Sequence, residues 1–186
     1  MIILASASPR RKELLSKIVT NFKIIPSTID ESAIDLGKDT MEAAEILAVK
    51  KTLDVQKEHQ NDIIIGADTI IVFEDKIYGK PKNKIDAKKM LSTFSDKTHY
   101  VITGVCISSS KKSISFSSVN EVTFYKLEEA EINEYLSNDE YLDKAGSYAI
   151  QGKGALFIKS IKGDYNSIIG LPIAQINRIL KNFFYN

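Results

Sequence analysis

The feature that most constrains this chain is residues 63–81, IIIGADTIIVFEDKIYGKP, in which a carboxylate sits between two apolar, β-branched runs. Ile63, Ile64 and Ile65 read as a strand covered on both faces, and residues 70–73 resume that character after Gly66, Ala67, Asp68 and Thr69. An ionised Asp in such surroundings must be paired, hydrogen-bonded or metal-bound. Glu74 and Asp75 make a two-residue turn, after which Lys76, Ile77, Tyr78 and Gly79 return as the second arm of a hairpin. With that turn Lys80 falls opposite Thr69, which brings a cation next to Asp68. Taken alone, the stretch reads as well as a structural ion pair at a strand end as it does a site.

The N-terminal run provides the second constraint. Ile2 to Ala5 is a short apolar strand, Ser6 and Ser8 follow, and Pro9 suits the first position of a helix whose buried stripe is Leu14, Leu15 and Ile18. Arg10 and Arg11 then stand at the positive end of the helix dipole beside free backbone N–H groups, an arrangement that opposes itself unless an anion binds. The chain has only one other arginine, Arg178, against 22 lysines, so adjacent guanidinium groups here suit planar, bidentate contact with phosphate oxygens. The plainer alternative is a solvated helix start with Arg paired to nearby acids. No GxxxxGK[ST] or GxGxxG loop occurs.

Further along, a polar loop carries Asp30 and Glu31, and a helix with the body EAAEILAVKKTLDV carries Lys50, one turn from Ile46, Leu47 and Leu53. Lys50 is read as pointing partly into that apolar surface, either as a snorkelling stem or as a cation held over an anion site. Asn83 with Asp86 caps a helix that buries Ile85, Leu91 and Phe94. Residues 100–108 and 113–127 form a hairpin with a solvated tip, and the last helix, opened by Pro172, faces Ile176, Ile179, Leu180 and Phe183 inward. Within KAGSYAIQGKGALFI, Gly146, Gly152 and Gly154 let the backbone come close to something flat or phosphorylated, and Gln151 carries both an amide donor and an acceptor. A turn that needs positive φ explains these glycines equally well. Cys106, the single cysteine, reads as a core thiol, and His59 and His99 lie far apart in polar settings without ligand spacing.

Length and charge bound the rest. The 186 residues suffice for one folded unit, a single domain over 1–186. With 25 basic and 24 acidic side chains, the net charge of +1 argues against direct nucleic-acid or membrane-surface binding, so an anion must be recognised locally. No run approaches a membrane span, the N-terminus does not read as a signal peptide, and one cysteine agrees with a reducing compartment; the expected location is the cytoplasm.

Read together, SASPRR at residues 6–11, the Asp30 and Glu31 pair, the Lys50 helix, GADT at 66–69, GKP at 79–81, AIQGKGA at 149–155 and GDYNSIIGLP at 163–172 resemble the Maf family. The resemblance runs through nearly the whole chain in one order. It implies a Maf/ITPase-like α/β fold, with a mixed twisted sheet flanked by helices and two lobes around a substrate cleft. It also implies hydrolysis of nucleoside triphosphates to the monophosphate and pyrophosphate, and a homodimer. By that resemblance Asp68 is the catalytic aspartate, and Glu31, Lys50, Lys80, Arg10 and Arg11 are polar cleft residues. Arg10, Thr69 and Gln151 resemble the subgroup that prefers dTTP and UTP. Ser167, Ile168 and Ile169 depart from the family's usual small or aromatic residues.

The chemistry expected from these residues is as follows. A divalent cation, Mg²⁺ or Mn²⁺, is held by Asp68 and Glu31 and bridges the triphosphate. Ser8, Arg10, Arg11, Lys50, Thr69, Lys80 and Gln151 bind the substrate, and Asp68 activates a water toward the α-phosphorus. The competing readings are a 7-methyl-GTP pyrophosphatase of the same fold and a non-catalytic nucleotide-binding regulator of cell division.

Overall fold

The structure is a computed structural model that describes residues 1–184; Tyr185 and Asn186, the end of the expected domain over 1–186, lie outside the described residues. The elements follow as β1 (Ile2–Leu4), α1 (Pro9–Ser16), β2 (Lys23–Ile24), α2 (Ala43–Gln56), β3 (Ile63–Phe73), β4 (Lys76–Tyr78) and α3 (Lys84–Phe94). They continue as β5 (Thr98–Ser108), β6 (Ser113–Phe124), α4 (Glu129–Tyr135), β7 (Ile158–Lys162), α5 (Tyr165–Ile169) and α6 (Ile173–Phe184). Among the described residues the strands form one mixed seven-stranded sheet, ordered β2-β1-β3-β5-β6-β7, with β4 paired to β3 off that path. β1 is parallel to both neighbours, with Ile2, Ile3 and Leu4 opposite Ile63, Ile64 and Ile65. β3–β4 and β6–β7 are antiparallel.

The expected interruption of β3 at Gly66 to Thr69 does not occur: the strand runs unbroken for 11 residues, with Asp68 inside it. Gly66 serves close packing, not a break. A Cβ there would lie 2.1 Å from Thr52 Oγ1 and 2.8 Å from the Ala48 carbonyl, and one at Gly104 on β5 would lie 2.2 Å from the Ala44 carbonyl. Ala44, Ala48 and Thr52, four residues apart along one ridge of α2, therefore fit against two strand positions that carry no side chain.

The chain divides into two compact units. The first comprises residues 1–69, 103–118 and the segment from 166 onward. Ile3, Ala5, Val55 and Ile64 form part of its core, with Ile25 packed against them. Cys106 is buried here, and loss of hydration pushes its thiol pKa up, so it is inert as a nucleophile.

The second unit comprises residues 70–102 and 119–165. Its β3–β4 hairpin has the expected two-residue turn, with φ of 49° at Glu74 and 57° at Asp75, and pairs Phe73 with Lys76 and Ile71 with Tyr78. Positive φ at both positions is the conformation whose twist matches that of the flanking strands. Asn83 caps α3 as expected, accepting from Asp86 N–H, but Ile85 is 69% exposed. The buried stripe of that helix is Ala87, Leu91 and Phe94, a face that the first-turn Ile85 does not share.

Phe94 is the hub of this unit's core, edge-on to Phe73, Tyr78 and Phe124 and 4.5 Å from the His99 ring. His99 is thus not in a polar setting but fully buried, with Nε2 2.7 Å from the Tyr148 hydroxyl and a buried Nδ1 without a partner. Burial lowers its pKa to about 3.

Two predictions follow from these packings. Gly66→Ala and Gly104→Ala should each cost about 3 kcal/mol in urea unfolding. Adding Thr52→Ala should recover part of the first loss by vacating the Oγ1 position, and none of the second, where the clash is with backbone. His99 stays neutral in the folded chain while an unfolded His takes a proton below about pH 6.5. Stability should therefore fall by about 1.4 kcal/mol per pH unit between pH 6 and 4 through this residue alone, a slope that His99→Phe should abolish in urea titrations at several pH values.

Candidate active site

The site is built within the first unit, on the C-terminal side of β1 and along β3. Ala5 N–H donates to the Ile65 carbonyl at 2.8 Å, so the chain leaving β1 still follows β3 as it approaches Asp68. Ser8 caps α1: its Oγ accepts from Arg11 N–H at 3.4 Å, and Pro9 opens the helix. Arg10 and Arg11 thus occupy the first turn, where no acidic side chain is present.

Arg11 is held from three sides. Its Nε donates to the Gly170 carbonyl at 3.0 Å, one terminal nitrogen to Ser6 Oγ at 3.3 Å, and the other to Thr69 Oγ1 at 3.0 Å. Thr69 Oγ1 lies 2.9 Å from Thr103 Oγ1, and Thr103 donates to the Ser167 carbonyl at 2.8 Å. A hydroxyl has one proton, and that of Thr103 is directed to Ser167, so Thr69 donates to Thr103 and offers a lone pair to Arg11. Gly170, with φ of +136°, brings its backbone against the Arg11 side chain. Loss of hydration lowers the Arg11 pKa, Asp68 raises it, and Arg10 and Glu31 act with smaller, opposite effects; the guanidinium remains charged.

Asp68 is 9% exposed and is bonded to Lys51 Nζ at 2.5 Å, and the same ammonium lies 2.9 Å from Glu31. Lys51 rides on α2 beside Thr52, the residue that meets Gly66, and Asp68 lies two residues after Gly66 on the same strand face. Glu31 comes from a single 3-10 turn capped by Asp30, whose carboxylate accepts from Ser32 N–H at 3.0 Å. Asp30 therefore shapes the loop, while Glu31 reaches the buried pair.

The structure brings Arg11, Thr69, Asp68 and Glu31 together, and places Ser8 as the cap that orients the first turn. Arg10 is half-buried beside Arg11. Lys50 is a correction: it is exposed, and its neighbour Lys51 makes the contact with Asp68. The cation paired with Asp68 is likewise Lys51, not the hairpin's Lys80. Lys80 and Gln151 belong to the second unit, where both are exposed. Sequence reasoning missed Lys51, Ser6, Thr103 and the Gly170 carbonyl. Lys51 had a signal, the Ala44, Ala48, Thr52 spacing that marks the inward face of α2; the carbonyl had none.

Lys51→Met should destabilise the chain by about 3 kcal/mol, because it removes the one cation bonded directly to the buried Asp68 carboxylate among the described residues. Lys50→Met should change stability by no more than about 0.5 kcal/mol. Urea unfolding of the two variants at pH 7 checks the assignment.

Comparison with known proteins bears on this arrangement. A family model described as Maf-like protein matches residues 1–183. A dTTP/UTP pyrophosphatase of Bacillus mycoides is 48% identical over 182 residues, covering 98% of this chain and 95% of the relative. A dTTP/UTP pyrophosphatase of Bacillus cytotoxicus is 47% identical over 181 residues, covering 97% and 94%. Among solved structures, the Ham1 protein of Staphylococcus aureus superposes with a TM-score of 0.57 at 15% identity, covering 97% of this chain and 98% of that one, a likeness of fold. With the family model matching almost end to end and relatives this similar across their whole length, the chain belongs to the Maf family.

Proposed function

We propose that this protein hydrolyses dTTP and UTP to the nucleoside monophosphate and pyrophosphate. The observation that carries the reading is 47–48% identity, over nearly the full length of both partners, to proteins named dTTP/UTP pyrophosphatase. The first unit supports it chemically: a buried carboxylate, a buried ammonium and two guanidinium groups stand together, which suits a polyanion attacked by water.

In the reaction, the oxygen of a water bonds to the α-phosphorus while the bond from that phosphorus to the bridging oxygen breaks, and pyrophosphate leaves. Asp68 takes the proton of the attacking water, the role for which a carboxylate held in one orientation by Lys51 is suited. Lys51 compensates the buried charge and keeps the carboxylate oriented. Arg10 and Lys80 neutralise phosphate oxygens. Arg11 adds a positive charge fixed in place by three of its five N–H groups, which are bonded within the protein. No protein nucleophile is required.

A divalent cation such as Mg²⁺ or Mn²⁺ fits the donor set. Asp68 and Glu31 are hard oxygen donors that converge on one cationic group, the Lys51 ammonium. An ion of this kind is commonly held by one or two carboxylates and completed by substrate phosphates. Asp68 and Glu31 would hold it, and it would supply Lewis-acid polarisation of the phosphate oxygens.

Gln151 is assigned to the base: its amide can donate to O4 and accept from N3–H of uracil or thymine. Thr69 acts differently from the expected contact with the base. Its hydroxyl is bonded to Arg11 and Thr103, which supports a role in holding the guanidinium. The cytoplasm is the proposed location, and no helix among the described residues is long and apolar enough to cross a membrane. A homodimer is the proposed assembly.

The decisive measurement is pyrophosphate release from dTTP and UTP, with and without Mg²⁺. Asp68→Asn should lower kcat by at least about a hundred-fold; rates within a few-fold of wild type would remove Asp68 from the mechanism. Tight dTTP binding by calorimetry with no product after long incubation would favour a non-catalytic regulator. Gln151→Glu should lose the preference for dTTP and UTP across a nucleotide panel that includes 7-methyl-GTP, because it exchanges the amide donor for an acceptor.

A further inference from the structure

The glycines of AIQGKGA accommodate a group from within the chain. Gly152 has φ of −117°, so no left-handed backbone requires glycine there. A Cβ at that position would lie 2.3 Å and 2.5 Å from the two carboxylate oxygens of Glu140 and 2.4 Å from its Cδ. That carboxylate is received by the loop itself: Lys153 N–H donates to Oε2 at 3.0 Å and Gly154 N–H to Oε1 at 3.2 Å. The Tyr135 hydroxyl donates to Oε1 at 3.3 Å, and the Asn138 side chain holds the Glu140 backbone N–H at 2.9 Å. Successive backbone N–H groups that converge on one anion form a nest, and here the anion is a side chain of the same unit.

The loop is also closed on itself. Gly152 N–H donates to the Ala149 carbonyl at 3.2 Å, which makes Gln151 the third residue of a four-residue turn, and Ala155 N–H donates to the Gly152 carbonyl at 3.1 Å. A Cβ at Gly154 would lie 2.8 Å from Ala149 N and O, so the two ends of the loop touch. Gln151 is left exposed at the corner, with the Glu140 carboxylate against the next residue.

We propose that Glu140 is a positioning residue for base discrimination: by bonding the backbone N–H groups of Lys153 and Gly154 it fixes the turn that presents Gln151 to the pyrimidine. The proposal rests on the reading of Gln151 given above. A glutamate is suited to the task because each of its two oxygens accepts, so both N–H groups are satisfied by one side chain. A glutamine offers one acceptor and one donor, and sets that donor against an N–H. Burial and the adjacent carboxylate both raise the Tyr135 pKa, which keeps that hydroxyl a donor to Glu140.

The test is a double-variant cycle on the full chain, with kcat and KM measured for dTTP and dCTP, whose 4-position and N3 reverse the donor and acceptor pattern. Gln151→Ala and Glu140→Gln should each lower the dTTP/dCTP ratio of kcat/KM by about ten-fold, mainly through KM for dTTP. The double variant should be no worse than Gln151→Ala. Gly152→Ala, which drives a Cβ into the same carboxylate, should reproduce the loss, and it decides the matter if Glu140→Gln fails to fold. A shifted ratio in Gln151→Ala with Glu140→Gln and Gly152→Ala within two-fold of wild type overturns the positioning role. Losses that multiply in the double variant overturn it too, since Glu140 then acts independently of Gln151. An unchanged ratio in Gln151→Ala sinks the assignment of Gln151 to the base, and the role of Glu140 with it.

Discussion

The approach of α2 to the sheet controls the geometry of the site. Ala44, Ala48 and Thr52 form a ridge of small side chains that meets Gly104 and Gly66 so closely that a Cβ at either glycine would lie 2.2 Å or less from the helix. Strand alternation places Asp68 on the same face as Gly66, two residues along, and helical geometry places Lys51 beside Thr52. The contact that excludes a side chain at position 66 thereby carries an ammonium to the carboxylate at 68. The ion pair is a consequence of backbone packing, and it is as rigid as that packing.

This explains how a carboxylate survives inside a strand. Burial of an ionised group is costly unless the partner is delivered in good geometry and the remaining charge is also met. Lys51 comes from a helix locked by glycine contacts, Glu31 reaches the same ammonium from a capped turn, and the Arg11 guanidinium lies near enough for Asp68 to influence its protonation. Asp68 and Lys51, with side chains 12% exposed, hold one another in place and are more than a surface pair, whereas Glu31, at 54%, adds the smaller energy of a half-exposed partner.

Much of this was legible in the sequence because the relevant signals are local. The Glu74 and Asp75 turn, the Asn83 cap, the buried thiol and the demand of Asp68 for a cation follow from residue type and spacing within a few positions. The identity of that cation was not legible by the same means. Lys50 and Lys51 are adjacent, and a pattern of large apolar residues around Ile46, Leu47 and Leu53 favours Lys50, yet Leu53 is 46% exposed and the residues that meet Gly66 and Gly104 are Ala44, Ala48 and Thr52. Close helix–sheet packing selects small side chains, so the large apolar residues, of which Leu47 is buried and Leu53 exposed, do not mark this contact. His99 escaped for a related reason: its polar sequence neighbours say nothing about the Phe124 and Tyr148 rings that, with Phe94 at the end of α3, enclose it.

Of the two arginines at the start of α1, Arg11 has its side chain held by three bonds. A guanidinium at the positive end of a helix dipole, next to a second one, is electrostatically disfavoured. Arg11 is retained there by three neutral acceptors, Ser6, Thr69 and Gly170, and by the nearby charge of Asp68. Thr69 accepts from it while its own proton goes to Thr103, whose proton goes in turn to the Ser167 carbonyl. The direction of every hydrogen bond in that series is set by the carbonyl at its end, so the orientation of Arg11 is decided by backbone of the segment that contains α5. A positive charge fixed in this way needs no reorganisation when an anion arrives, the condition under which electrostatic stabilisation is most effective.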